Sequence, residues 1–358
     1  MNKRLETITS RMKKSGIKQT FITDIKNIYY FTGNHIDFGE RLGGLLINDS
    51  GSCKFLYNEM FYPKLERREG LEYISWKDGE NPYSLLRGFL AKGYKLFLEE
   101  SCKAIVLFNL KAADSGIEFG SITPLINEQR MIKDGYEIAL LKKSSSIVDA
   151  VVHEWVNCLE HESSELDTAD TIYNLFALNG VRKLAFESII AFGPNTSDPH
   201  HTPSEKCFLQ SQIATLDIGG EFEYYCSDIT RTVCFREPTA EEEKIYNIVF
   251  EAQKRAIEAV KPGVTLSSID KIARSYISDH GYGEYFIHRT GHGIGLEDHE
   301  YPFITSDSDV IIKPNMVLAV EPGIYLPQKF GVRIEDVVVV TENGCEVINH
   351  SPKKLSVV

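Results

Sequence analysis

A chain of 358 residues is long enough for two domains, each with its own core. With 42% hydrophobic and 25% charged residues it reads as an ordinary folded globular protein. A formal net charge of -12 argues against a nucleic-acid partner, because phosphate binding needs clustered Lys and Arg, and none is expected. The first residues, MNKRLETITSRMKKSG, carry basic groups with no apolar run behind them, and no stretch approaches the length that spans a bilayer. The expectation is a cytoplasmic chain with no membrane partner. Seven cysteines, an odd number without a CxxC pair, suit reduced thiols used for packing.

In chain order, Leu5 to Met12 has the spacing of an amphipathic helix, and Gln19 to Thr23, Gly44 to Ile47, Cys53 to Tyr57 and Tyr94 to Leu98 read as strands. This alternation predicts an α/β domain over residues 1-125. A break falls between Ile122 and Lys133, where Pro124 interrupts and a polar stretch follows. From Gly135 to Leu159 a long helical pattern begins a second domain, 126-358, and Asp167 to Leu178 reads as another helix ended by Asn179-Gly180. Beyond Phe186, strand-like runs alternate with Gly and Pro turns: Ser188 to Phe192, Ile213 to Ile218, Thr230 to Phe235, Met316 to Val320 and Val332 to Val340. Helical stretches at Ala240 to Val260 and Leu266 to His280 interrupt them, the second with Thr265 and Ser267 as candidate caps. The pattern predicts an α+β domain, an antiparallel sheet with helices on one side.

The chemistry concentrates in four segments of that domain. In ATLDIGGEFEYYCSDITR, a hairpin with its midpoint between Phe222 and Glu223 sets Asp217 opposite Asp228 on one face. Two carboxylates that close need a positive partner, and a divalent metal is the usual one. In HRTGHGIGLEDHEYP, glycines flank His292 and let its backbone come close to a neighbour. In MVLAVEPGIY, Glu321 ends an apolar strand, where an unpaired carboxylate would be costly. In GVRIEDVVVV, period-2 alternation puts Arg333 and Glu335 on one face and Asp336 on the other. Oxygen ligands with one imidazole suit Mn²⁺, Co²⁺, Fe²⁺ or Zn²⁺. Four carboxylates around one ion would leave excess negative charge, and two ions balance it better.

Asp217, Asp228, His292, Glu321 and Glu335, in the contexts LDIGG, SDITRT, TGHGIGLEDHE, VEPGIY and GVRIED, resemble the metal pentad of the methionine aminopeptidase and prolidase superfamily. The wording of these motifs resembles its proline-specific branch, the prolidases and aminopeptidase P, from about Phe186 to Val340. The first domain resembles the family's creatinase-like N-terminal domain more loosely, through NIYYFTGN. The resemblance implies a creatinase-like α/β domain followed by an α+β pita-bread catalytic domain. It implies two divalent ions, Mn²⁺ by the family's habit with Co²⁺ or Zn²⁺ as options, in a homodimer. Asp217 would bind one ion, Asp228 and Glu335 would bridge, and His292 and Glu321 would complete the other shell. Glu321 would carry a proton from the attacking water to the leaving nitrogen. His299 would hydrogen-bond the substrate carbonyl and the developing oxyanion. His200 in GPNTSDPHH, with His201 beside it as the alternative, would stand near the scissile bond. His288 would lie near the proline pocket, and Arg333 would orient Glu335 or the substrate.

The implied substrates are di- or short peptides containing proline, whose tertiary amide has no N–H for ordinary peptidases to grip. The main expectation is an Xaa-Pro dipeptidase, which the compact length also suits. The alternative is an aminopeptidase P acting on longer peptides, because the loop EYPFITSDSDVIIKP offers no arginine for a free carboxylate, only Lys313. A pita-bread binding module or a creatinase-like C–N hydrolase is a distant alternative, since all five ligand positions are filled here.

Overall fold

A computed structural model describes residues 3–158, 163–207 and 213–355. The chain divides into two compact units, Met1–Gln129 and Arg130–Val358.

In the first unit, helix α1 (Lys3–Lys14) buries Leu5, Ile8 and Met12, one face at helical spacing. It is followed by β1 (Gln19–Ile22), α2 (Ile25–Thr32), β2 (Gly44–Asn48), β3 (Cys53–Asn58), β4 (Glu72–Trp76), α3 (Pro82–Phe89), β5 (Leu96–Leu98), α4 (Ala104–Ala113), β6 (Phe119–Ser121) and α5 (Thr123–Arg130). The strands form one mixed sheet in the order β4-β3-β2-β1-β5-β6. The neighbours β3-β2 and β2-β1 are antiparallel, and β4-β3, β1-β5 and β5-β6 are parallel. The expected break at Pro124 is instead a helix. Pro124 falls in the first turn of α5, where its missing N–H has no intrahelical partner to lose.

The second unit opens with α6 (Gly135–Cys158); the expected extension to Leu159 lies outside the described residues. Helix α7 (Glu165–Leu178) starts two residues earlier than its apolar pattern suggests, because Ser164 and Asp167 close a capping box. Then come β7 (Ile189–Phe192), β8 (Ile213–Ile218), β9 (Glu221–Phe222), β10 (Tyr225–Cys226), β11 (Ile229–Cys234), α8 (Ala240–Ala259), α9 (Leu266–Asp279), β12 (Gly291–Gly293), β13 (Glu300–Ile304), β14 (Val317–Val320), β15 (Gly323–Leu326), β16 (Phe330–Arg333), β17 (Asp336–Val340) and β18 (Cys345–Val347). Thr239 and Thr265 cap α8 and α9 through their side chains. Every sheet of this unit is antiparallel: β11-β8-β7, β13-β12-β14-β17-β18 and two short ribbons. Residues of α6 and α7 share one core with β7, β8 and β11, including Trp155, Phe176 and Leu216. Residues of α8 and α9 share a second core with the five-stranded sheet.

Two local departures shape the site. Glu223 and Tyr224 both have positive φ, +45° and +71°, so the hairpin turns on those two residues. The midpoint therefore sits one residue later than the sequence suggests, and Thr230 rather than Asp228 stands opposite Asp217. The slip in pairing is two residues, which preserves the face, so Asp228 is a diagonal neighbour on the same side. The run from Val332 to Val340 is not one strand: it breaks between Arg333 and Asp336, leaving Glu335 between β16 and β17.

Candidate metal centre and pocket

The five candidate ligands converge from separate strands of the second unit. Asp217 lies in β8, whose every residue is buried, and Asp228 immediately precedes β11. Gly219 permits this closeness: a Cβ there would lie 2.1 Å from the Ser227 carbonyl oxygen. His292 sits in β12 between two glycines, and a Cβ at Gly291 would lie 2.0 Å from the Ala319 carbonyl of β14. Glu321 follows β14 directly.

Ligand atoms of Asp217, Asp228 and Glu335 all lie within 4.8 Å of one another, as do those of His292, Glu321 and Glu335. Glu335 is common to both groups. Asp217, Asp228, His292 and Glu335 are 8%, 3%, 1% and 1% exposed, so water cannot screen the carboxylates from one another. Burial, then repulsion from Glu335 and Asp217, pushes Asp228 well above the usual carboxylate range. Burial, then Glu321 and Asp217, does the same to Glu335. Burial raises Glu321 to about 7.

His292 tests what neutralises this cluster. Its Nδ1 stands 3.1 Å from the Gly293 carbonyl, which can only accept, so Nδ1 carries the proton. The lone pair on Nε2 then faces Glu321 Oε1 at 3.5 Å, Asp228 Oδ2 at 3.7 Å and Glu335 Oε1 at 3.9 Å. Burial first, and His299 second, keeps the ring neutral by lowering its pKa well below the ordinary value. At these distances Nε2 makes no hydrogen bond to any of the three. These spacings are those of atoms that each approach one ion to about 2.0–2.2 Å. Asp217 Oδ1, Asp228 Oδ1 and Glu335 Oε1 are buried without a hydrogen-bond partner, an expensive arrangement that a divalent cation resolves. The donor set fits a metal centre.

Surrounding side chains hold these ligands. Arg333 gives Nη2 to Asp217 Oδ2 at 2.5 Å, Nη1 to the Tyr325 hydroxyl at 2.7 Å and Nε to Thr230 Oγ1 at 3.2 Å. Thr230 in turn donates to Glu335 Oε2 at 2.7 Å. Arg333 thus orients Asp217 directly and Glu335 through Thr230, and its buried guanidinium is committed within the protein. Asp336, on the opposite face as the alternation predicts, pairs with Arg231, Gln253 and Lys353.

The cluster forms one wall of a cavity of about 540 Å³ that His200, His201, His288, Arg289 and His299 also line. Burial, then Arg333, lowers His288 to about 3. Its Nδ1 donates to the Arg289 carbonyl at 2.7 Å and its Nε2 accepts from Tyr325 at 2.9 Å, so both nitrogens are used and the ring offers the pocket only its apolar surface. His299 packs its ring 3.9 Å from that of His292. Its Nδ1 lies 2.9 Å from Arg289 Nη2; since arginine only donates, Nδ1 accepts and the proton sits on Nε2. Burial and then Arg289 lower the His299 pKa, in keeping with a neutral ring.

The neighbouring histidines 200 and 201 differ. His201 Nε2 is 2.8 Å from Glu165 Oε2. Glu165, fully buried at the start of α7, also accepts from Phe192 N, Asn195 Nδ2 and Ser204. Burial opposes its charge, but these donors hold its pKa below the usual range. His201 is thus a brace, while the ring of His200 makes no hydrogen bond among the described residues. Sequence reasoning missed Thr230, Tyr325, Glu165 and Arg289. Three of them stand inside the quoted motifs, but Glu165 has no local signal at all.

A family model described as metallopeptidase family M24 matches residues 139–342, and one described as the creatinase/prolidase N-terminal domain matches residues 4–132. The chain belongs to metallopeptidase family M24. Family membership makes it a hydrolase that uses divalent metal, with the pita-bread architecture in its second unit. An uncharacterised peptidase of Staphylococcus aureus strain MW2 is 36% identical, covering 98% of this chain and 99% of the relative. The crystal structure of a recombinant prolidase from Thermococcus sibiricus superposes with a TM-score of 0.94 at 35% identity, covering 99% of each chain. An Xaa-Pro dipeptidase from Bacillus anthracis superposes with a TM-score of 0.90 at 33% identity, covering 98% of each. Among the described residues no helix is long and apolar enough to cross a membrane.

Proposed function

We propose that this M24 peptidase hydrolyses Xaa-Pro dipeptides with two divalent ions, held by Asp217, Asp228, His292, Glu321 and Glu335. The observation that carries the reading is the pair of ligand groups sharing Glu335, with three orphaned carboxylate oxygens, in the wall of one pocket. The printed names of the similar structures, a prolidase and an Xaa-Pro dipeptidase, support the substrate class. Bound ions would polarise the scissile carbonyl and make a water nucleophilic at neutral pH.

The remaining work falls to side chains. Glu321 is the most exposed carboxylate of the set, 14% of its side chain being open, and is placed to hold a proton and pass it to the proline nitrogen. His299, protonated on Nε2, donates to the carbonyl oxygen as charge develops there. His200 lies across the pocket with an uncommitted ring and supplies a second polar contact near the scissile bond. His288 presents its ring surface to the proline ring. Arg333 holds Asp217 directly and Glu335 through Thr230.

Mn²⁺ and a homodimeric state belong to the same reading. The test is hydrolysis of Ala-Pro beside Ala-Pro-Ala by metal-stripped protein, before and after adding Mn²⁺. Manganese-dependent cleavage of the dipeptide supports the reading. Preference for the tripeptide would favour an aminopeptidase P, a second reading that the arginine-free loop after Glu300 keeps in view, since Lys313 is exposed and lines no part of the pocket.

A further inference from the structure

The pocket contains a guanidinium that no carboxylate among the described residues pairs with directly. The second unit pairs its other enclosed arginines with carboxylates: Arg130 with Glu297 and Glu300, Arg231 with Asp336, Arg274 with Asp270 and Arg333 with Asp217. Arg289 lines the cavity, half-buried, and makes no ion pair with a carboxylate among the described residues. In a chain with a net charge of -12 this is not for want of acidic groups.

Two contacts fix the guanidinium. Nη2 donates to His299 Nδ1 at 2.9 Å, and the carbon of the group lies 4.5 Å from the centre of the Phe303 ring. Phe303 belongs to β13, the strand that follows His299. One N–H is spent on His299, and arginine carries five. The planar fork is therefore held in place with most of its donors uncommitted, which is the geometry that receives a carboxylate through two bonds.

The position agrees with one substrate class. His299 touches His292 of the ligand cluster on one side and Arg289 on the other. Arg289 thus stands one imidazole width from the place where a scissile carbonyl would meet the cluster and His299. In an Xaa-Pro dipeptide the free carboxylate is one residue beyond that carbonyl, a step of about 3.8 Å between Cα atoms. In a longer peptide the same place holds a neutral amide with more chain behind it, which gains little from the charge and must pass Phe303.

We propose that Arg289, stacked on Phe303, binds the terminal carboxylate of the substrate and so selects dipeptides. This rests on the Xaa-Pro reading above and names the residue that narrows it. Arg289 also sets the His299 tautomer, so its loss slows every substrate; the diagnostic quantity is the ratio of kcat/KM for Ala-Pro over Ala-Pro-amide, which lacks the charge.

The experiment measures that ratio for metal-loaded wild type, Arg289→Gln and Arg289→Lys, with inhibition by L-proline and by prolinamide as a binding readout. Wild type should prefer the acid by about ten- to a hundredfold, the range for hydrogen bonds to a charged group. Arg289→Gln should bring the ratio close to one, largely through KM, and weaken L-proline by a similar factor while leaving prolinamide unaffected. Arg289→Lys should recover part of the ratio. An unchanged ratio in Arg289→Gln, with both substrates falling together, overturns the inference while the Xaa-Pro reading stands. Cleavage of neither substrate by metal-loaded wild type overturns that reading and the inference with it.

Discussion

Thr230→Val tests whether the second layer around the cluster is there for a cation. The side chain is fully buried, and its hydroxyl donates to Glu335 Oε2 at 2.7 Å while accepting from Arg333 Nε at 3.2 Å. Valine keeps the shape and β-branching that β11 requires but leaves Glu335 with both oxygens without a protein donor, because Oε1 already has none. A hydrogen bond to an ionised group contributes roughly 1.5–3 kcal/mol, and about 1.4 kcal/mol is a factor of ten in an equilibrium constant. Metal affinity should therefore fall by about ten- to a hundredfold, the range expected for groups that orient ligands. In metal-free protein, burial and its neighbours push Glu335 toward the neutral form. The hydroxyl then meets no charge, and the loss there should be nearer 1 kcal/mol, or about 2–4 °C in Tm for a unit of this size. Mn²⁺ affinity by chelator competition, with Tm of the metal-free form, separates the two effects, and Thr230→Ser should restore both. Wild-type affinity in Thr230→Val, or equal destabilisation of loaded and metal-free protein, would refute the argument that Thr230 presents Glu335 to an ion.

The other predictions concern the catalytic proton, the paired histidines and the first unit. Glu321→Gln should keep the fold and part of the metal while turnover drops by about 10²–10⁴-fold; near wild-type turnover rejects the proton-transfer role. His201→Ala removes a donor from fully buried Glu165 and should cost about 1–3 kcal/mol in thermal or urea unfolding, whereas His200→Ala should lower kcat and leave stability unchanged. Equal losses of stability would show that the two have been assigned the wrong way round. Burial raises Glu99 from 4.5 to about 7. The folded form therefore holds a proton that the unfolded chain releases, so this contribution is complete below pH 4.5 and is lost as pH rises through 7. The interval corresponds to about 3 kcal/mol; in Glu99→Gln the fall in urea stability between pH 5 and pH 8 should flatten by that order.

Residue patterns made much of the secondary structure and the candidate ligands legible: Asp217 interrupts and Glu321 ends an apolar strand, where a carboxylate is conspicuous. Tertiary detail was not legible in the same way. The hairpin after Asp217 turns on Glu223 and Tyr224, which lack the Asn-Gly signature of such turns, so its register could not be read off the residues. The β-branched run around Glu335 looks continuous, yet it breaks between Arg333 and Asp336, where Glu335 bonds to Thr230. The Gly-rich segment around His292 carries no strand pattern, yet it forms a short strand between β13 and β14.

Hydrogen-bond satisfaction separates like residues of the second unit. Asp336 has both oxygens filled by Arg231, Gln253 and Lys353, while its neighbour Glu335 keeps one buried oxygen unanswered. His201 is tied to Glu165, while His200 leaves its ring unbonded among the described residues. Arg333 spends its donors on Asp217, Tyr325 and Thr230, while among the described residues Arg289 bonds to His299 and lies over the Phe303 ring. In each comparison the satisfied group is already doing its work inside the protein. An unsatisfied polar group in an enclosed wall is costly, and on the proposed reading the unanswered members are where a ligand supplies what the chain does not: cations at Glu335, a substrate at His200, and a carboxylate at Arg289.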